Sequence, residues 1–292
     1  MIIFHDPRCV EYSRSGHVER PARIAQAVPL LRERHPHWEW RVAQPVNDVA
    51  LERTHSAGHI ETIRHPADDF DSDCPAYTDI FHHSLRASGA AVEVARAART
   101  GELSFSLMRP PGHHATRDRA MGFCYFNHIA IAALDALAAG VKRIAIWDFD
   151  AHHGNGTEAI VRGNEQIAFA SIHQNPGWPG TGTRSFENIH NYPVRPRTPR
   201  AAHMKEIERA LQTLLAFQPD LVLVSAGFDA SAGDPIMDMT LQPEDFATCG
   251  KWLRDCGVPA GAILEGGYSD ELPELIDAFL SSWAPDAKTR SS

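Results

Sequence analysis

Short apolar runs alternate with amphipathic stretches along most of this chain. The runs at 2–4, 104–108, 143–148, 167–172, 221–226 and the one ending at Glu265 are bounded by glycine, proline or charged residues, which predicts strands. The stretches 24–34, 80–98, 126–139 and 200–217 space their apolar positions three and four apart, and another opens at Thr240-Leu241-Gln242-Pro243-Glu244; these predict helices. Strands that are apolar on both faces must be covered on both faces. The expected fold class is therefore α/β, a single-domain three-layer α/β/α sandwich with a mainly parallel sheet. A chain of 292 residues with no linker or low-complexity stretch fits one domain over 1–284, with 285–292 as a loosely held tail.

The strand ends carry the chemistry. Ile144-Ala145-Ile146-Trp147 runs into Asp148-Phe149-Asp150-Ala151-His152-His153-Gly154-Asn155-Gly156. Residues two apart in a strand share a face, so Asp148, Asp150 and His152 can point together into the crevice beyond the carboxyl end of the sheet, where open parallel sheets bind ligands. A bland alternative has Asp150 and His152 satisfying turn backbone and capping the next helix. A metal site needs a further ligand, and Asp234, in Ala232-Gly233-Asp234-Pro235 after the strand 221–226, is the best candidate, reached through a loop bearing Gly227, Asp229 and Gly233. Two carboxylates and one imidazole leave zinc the open fourth position of a catalytic site. Iron or cobalt suits the same donors.

Two further segments offer proton transfer and oxyanion stabilisation. Arg109-Pro110-Pro111-Gly112-His113-His114 breaks an extended segment just before paired imidazoles, so both can reach one site. Ile263-Leu264-Glu265-Gly266-Gly267-Tyr268 ends a strand in glycines and a phenol, which stays protonated near neutral pH and can donate to a developing oxyanion.

These motifs, with Gly122-Phe123-Cys124-Tyr125-Phe126-Asn127 between them, occur in an order similar to that of the zinc-dependent histone deacetylase superfamily, which also holds bacterial acetylpolyamine amidohydrolases. The resemblance runs from His17-Val18-Glu19-Arg20-Pro21 to Tyr268, and Asn155 and the short chain look like the class II and bacterial branch. It implies an arginase-like and deacetylase-like fold and a deacetylase that hydrolyses acetyl-lysine or a related acylated amine. By resemblance, Asp150, His152 and Asp234 match the zinc ligands, His113 and His114 the catalytic pair, and Tyr268 the residue that polarises the acyl carbonyl. Asp148 matches the aspartate behind the first histidine; with Ser171 and the main chain of Asp150, His152 and Ile172 it also matches a potassium site. Phe123 and Trp178 match the walls of an acyl channel, Gly122 the carbonyl that receives the substrate amide, Asp73 a rim aspartate, and Arg20 the arginine near an acetate-release cavity.

Two departures from the family pattern matter. Asn155 stands where class I members carry an aspartate, so His114 should be less basic than with an anionic partner. Leu241 stands where a polyamine-selective relative has a glutamate at the substrate-binding rim, which weakens the case for a long cationic substrate. Open alternatives are an acetylpolyamine or other small-molecule amidohydrolase, a two-manganese ureohydrolase, and a non-catalytic acyl-group reader.

Composition narrows the setting. A formal charge of -9 disfavours nucleic acid and anionic membranes as partners and weakly suits a cationic substrate. No basic region followed by an apolar core opens the chain, so no signal peptide is expected. No segment approaches the roughly 20 apolar residues of a membrane span. The five cysteines are odd in number and unpatterned, which predicts reduced thiols in the cytoplasm, with Cys124 as channel packing. Of the 17 histidines, His35, His37, His82, His83 and His203 are expected at the surface, and His55 and His59 as loop or surface structure rather than ligands. Oligomeric state stays open.

Overall fold

The computed structural model describes residues 1–285, so the expected tail lies almost wholly outside the described residues. One eight-stranded sheet organises them: β1 (Ile2–Phe4), β2 (Glu39–Arg41), β3 (Ser104–Ser106), β4 (Ile144–Asp148), β5 (Ile167–Gln174), β6 (Ile189–Val194), β7 (Leu221–Ala226) and β8 (Ala260–Leu264). The strand order is β2-β1-β3-β8-β7-β4-β5-β6, and every pairing between these strands is parallel. β4, β7 and β8 are buried along their whole length, which is why they read as continuous apolar runs rather than alternating ones.

Helices cover both faces. On one side lie α2 (Asp48–Thr54), α3 (Ala57–Arg64), α4 (Ile80–Arg99), α5 (His128–Ala138) and α6 (Asn155–Val161). On the other lie α1 (Ala22–Arg34), α7 (Arg200–Ala216), α8 (Pro243–Asp255) and α9 (Leu272–Trp283). The termini have local causes. The Asn127 side chain accepts the Ala130 N–H at 3.0 Å and starts α5, while Gln242 and Asp245 form a reciprocal capping box that starts α8 behind Pro243. α9 buries Leu272, Leu275, Ile276, Phe279, Leu280 and Trp283 as one stripe, each large apolar side chain contributing about 1.5–3 kcal/mol by leaving water. β2, β6, α2, α3, α6 and α9 are additions to the elements read from the pattern.

The sheet order sets the position of the site. β3, β8, β7 and β4 are adjacent, and the chain leaves their carboxyl ends toward His113, Glu265, Asp229 and Asp150 respectively. In register, Asp148 pairs with Ser171 on one side and Ser225 on the other, and Ser225 pairs with Ile263. Among the described residues, no helix is long and apolar enough to cross a membrane.

Several histidines expected at the surface are buried. His203 is 1% and His83 3% exposed, and His35 stacks on Trp38 with ring centroids 3.8 Å apart. His55 and His59 are also buried: the Thr116 carbonyl accepts from His55 Nδ1–H while His55 Nε2 accepts from the Asn127 N–H, and His59 Nε2 donates to the Tyr125 carbonyl. They are structural, as expected, but packed rather than exposed. His37 and His82 are exposed.

Candidate active site

Five carboxyl groups, those of Asp148, Asp150, Asp229, Asp234 and Glu265, are buried where the four central strands end, beside His113, His114 and His152. Glycines make room for them. A Cβ at Gly227 or Gly266 would strike the Asp150 carboxylate, and one at Gly154 would strike that of Asp148. The Gly266 N–H donates to Asp150 Oδ2 at 2.7 Å and the His152 N–H to Asp150 Oδ1 at 2.9 Å.

Asp150, His152 and Asp229 place a ligand atom each within 4.8 Å of one another. His152 Nδ1 faces both acids, 2.7 Å from Asp229 Oδ2 and 3.3 Å from Asp150 Oδ1, and Asp229 Oδ1 accepts the Ala151 N–H at 2.7 Å. Asp234 lies beside this trio rather than in it; its oxygens accept the Ile236 N–H at 3.0 Å and the Tyr268 N–H at 2.8 Å. The trio therefore brings in Asp229, to which the sequence pattern assigns no role.

The paired imidazoles differ in their supports. Nδ1–H of His113 donates to Asp148 Oδ2 at 3.0 Å, whereas Nδ1–H of His114 donates to the Asn155 amide oxygen at 2.8 Å. Burial disfavours charge on His113, but the Asp150 and Asp148 carboxylates hold it well above the ordinary histidine range. Burial, with His113 and His152 as like-charged neighbours, holds His114 well below that range. Similar surroundings thus favour the charged form of one imidazole and the neutral form of the other.

The acids repel one another. Asp229 is pushed up to about 7 by burial and by Asp150, against the pull of His152, and Glu265 is pushed up to about 7 by burial, against the pull of His113. His152 is raised to about 10, burial being outweighed by Asp229 and Asp150. A divalent cation among mixed carboxylate and imidazole donors would relieve this surplus of buried acid, so the residues present fit a metal such as zinc.

A cavity of about 190 Å³ opens onto these groups, lined by Asp73, His114, Gly122, Phe123, His152, Trp178, Ile236 and Tyr268. Gly122 has φ +57°, and a Cβ there would meet both Trp178 and His114 at about 2.5 Å, so only glycine lets the indole approach. The Trp178 ring stands edge-on to His114 at 4.7 Å, and Phe123 stands edge-on to Tyr268 at 5.5 Å. Ser171 is buried, its hydroxyl meeting His173 Nδ1 at 2.9 Å, and Ile172 is wholly buried in β5.

The chain matches a model of the histone deacetylase domain over residues 17–282. It belongs to the histone deacetylase family. Within that family it is 34% identical to the histone deacetylase-like amidohydrolase of Pseudomonas aeruginosa, over 88% of this chain and 73% of the relative. It is 35% identical to a probable deacetylase of Methanothermobacter thermautotrophicus, over 93% of this chain and 86% of the relative. The crystal structure of the HDA15 HD domain superimposes with a TM-score of 0.89 at 29% identity, covering 99% of this chain and 92% of that one. The family fold and the hydrolase chemistry expected from the motifs are thereby supported.

Two expected site residues of this deacetylase-family chain lie elsewhere. Arg20 is about half exposed and pairs with Asp270 at 2.7 Å, because it precedes α1 on the outer surface. The arginine of that segment that reaches the site is Arg23, one helical turn inward. Its Nε–H donates to the Gly267 carbonyl at 2.7 Å, another N–H meets the Glu265 carbonyl, and its guanidinium lies 4.8 Å from the Tyr268 ring centroid. Leu241 is 1% exposed and held in the core by backbone bonds to Ala230 and Ala232, and does not line the cavity; Ile236 takes the rim position.

Arg23 and Arg109 also flank Glu19, a wholly buried carboxylate whose Oε2 accepts from Arg109 at 2.8 Å. Burial opposes charge on Glu19, yet Arg109 and Arg23 hold it below the usual carboxylate range. This network ties the start of the His113 segment to the Tyr268 segment.

Proposed function

We propose that this chain is a zinc-dependent amidohydrolase that hydrolyses the amide of an N-acylated amine, acetyl-lysine or a related acylated amine, in the cytoplasm. The observation that carries the reading is that one small cavity exposes an imidazole, His114, a phenol, Tyr268, and His152 of the buried acid–imidazole trio, with His113 packed against His114 behind it. Asp150 and His152 would hold the ion with Asp234 as third ligand, and Asp229, engaged by His152 and Ala151, would brace His152. A bound divalent ion supplies Lewis acidity and makes a bound water more acidic.

The side chains do the rest. Phe123 and Trp178 wall the acyl-bearing arm, Asp73 at the mouth accepts from the substrate backbone, and the Gly122 carbonyl accepts the amide N–H. His114, already neutral, takes the proton of the attacking water. The Tyr268 hydroxyl donates to the carbonyl oxygen as charge develops on it. His113, kept charged by Asp148 and Asp150, gives a proton to the departing nitrogen as the C–N bond breaks, leaving a carboxylic acid and an amine. A potassium ion against Asp148, Ser171 and the main chain of Asp150, His152 and Ile172 belongs to the same proposal, supported by the register that sets Asp148 beside Ser171. Five free cysteines accord with a reducing compartment.

A small-molecule substrate is a second reading, favoured by the 35% identity to the acetylpolyamine amidohydrolase of Mycoplana ramosa over 66% of this chain and 59% of the relative. Rates on an acetyl-lysine peptide and on acetylputrescine, measured side by side with metal analysis, separate the two. Absence of chelator-sensitive hydrolysis on both, and on a wider panel of acylated amines, would overturn the proposal.

A further inference from the structure

Glu265 is fully buried at the end of β8, and nothing in the reaction above uses it. Its carboxylate reaches across the sheet to the segment that carries the paired histidines. Oε2 accepts the backbone N–H of Gly112 at 2.6 Å and that of His113 at 3.1 Å, and Oε1 accepts the Ser225 hydroxyl at 3.2 Å.

The four residues from Glu265 to Tyr268 thereby reach several parts of the site. The Gly266 N–H holds Asp150, the Tyr268 N–H holds Asp234, and the carbonyls of Glu265 and Gly267 are held by Arg23. The Glu265 side chain links this segment to the main chain of Gly112 and His113. Without it, the buried backbone N–H groups of Gly112 and His113 would lose this acceptor, and that loss falls where the imidazole is aimed.

We propose that Glu265 is a positioning residue: by accepting the Gly112 and His113 N–H groups it sets the paired imidazoles in register with Tyr268. The proposal rests on the hydrolase reading, and it concerns hydrogen-bond reach rather than charge. Two substitutions separate these. Glu265→Gln keeps the reach and an oxygen for both N–H groups while losing the charge. Glu265→Asp keeps the charge and withdraws the oxygens by about 1.5 Å, one C–C bond.

The test compares kcat and KM of the three metal-loaded proteins on one acylated amine, with metal content and melting temperature alongside. It also follows hydrogen exchange at the Gly112 and His113 amides in the metal-free proteins. The expected result is kcat within about threefold of the parent for Glu265→Gln and at least about tenfold lower for Glu265→Asp, with KM little changed. The two amides stay protected in Glu265→Gln and exchange faster in Glu265→Asp. Equal effects of the two changes, or a larger loss in Glu265→Gln, would overturn the proposal. If the parent itself hydrolyses nothing, the functional reading fails, and the amide exchange still decides the role of Glu265.

Discussion

His114 leans on Asn155, its Nδ1–H donating over 2.8 Å to a neutral amide oxygen where neighbouring His113 has the carboxylate of Asp148. A neutral partner stabilises the imidazolium less than an anion does. The base must be unprotonated to act, so its pKa sets the acid limb of the rate profile. Asn155→Asp should raise that pKa and move the acid limb of kcat/KM toward higher pH by roughly one unit. An unmoved limb, or one moved to lower pH, would remove His114 from the role of base.

Tyr268 lines the cavity against Phe123 and over Arg23. Loss of one oxyanion donor typically costs about 10²–10³ in kcat. Tyr268→Phe should show a loss of that order with metal content unchanged, since the phenol is not among the proposed ligands. Retained turnover would mean that another donor faces the carbonyl oxygen.

The third metal ligand divides two carboxylates. Asp234 accepts two backbone N–H groups beside Tyr268, whereas Asp229 is engaged by His152 and Ala151. Asp234→Asn should strip the ion on dialysis, and Asp229→Asn should weaken binding by about 10–100-fold, as loss of a supporting partner does. Metal analysis and competition with a chelator read both. The reverse order would assign the third position to Asp229, in line with the compact trio it forms with Asp150 and His152.

His203 supplies a pH dependence far from the site. It is 1% exposed, its Nδ1 has no hydrogen-bond partner, and burial pushes it down to about 4 against the weak pull of Asp245. The unfolded chain takes up this proton below about 6.5 and the folded one does not, so folded stability falls as pH drops from there toward 4. The slope is about 1.4 kcal/mol per pH unit for one proton. His203→Leu should therefore gain on the parent as pH falls from 7 to 5 in urea unfolding. A difference independent of pH would show that the folded chain takes up the His203 proton as readily as the unfolded one.

What the sequence could reveal followed from periodicity. Asp148, Asp150 and His152 sit two apart, but β4 ends at Asp148, and Asp150 and His152 are placed by the turn after it, through the Gly266 N–H and Asp229. Asp229 and Glu265 stood in the same motifs without a signal of their own, because their importance comes from contacts with His152 and His113, more than 70 and 150 residues away respectively. Arg20 lies just before α1 and Arg23 in its first turn, and only the direction in which the chain enters that helix decides which guanidinium turns inward. Leu241 is a rim candidate by family resemblance and a core residue by packing. The short strands β2 and β6 escape a pattern search because one is Glu-Trp-Arg and the other is interrupted by Pro193. The amphipathic stripe of α9 was readable and lies beyond the last motif.

The most direct test of the whole account is hydrolysis by metal-stripped protein to which one equivalent of zinc is returned, with acetate release from an acetyl-lysine peptide and from acetylputrescine followed by mass spectrometry. The account predicts no release before zinc, restored release at one ion per chain, and no restoration in Asp150→Asn. Full activity in the stripped protein, or a need for two ions per chain, would contradict it.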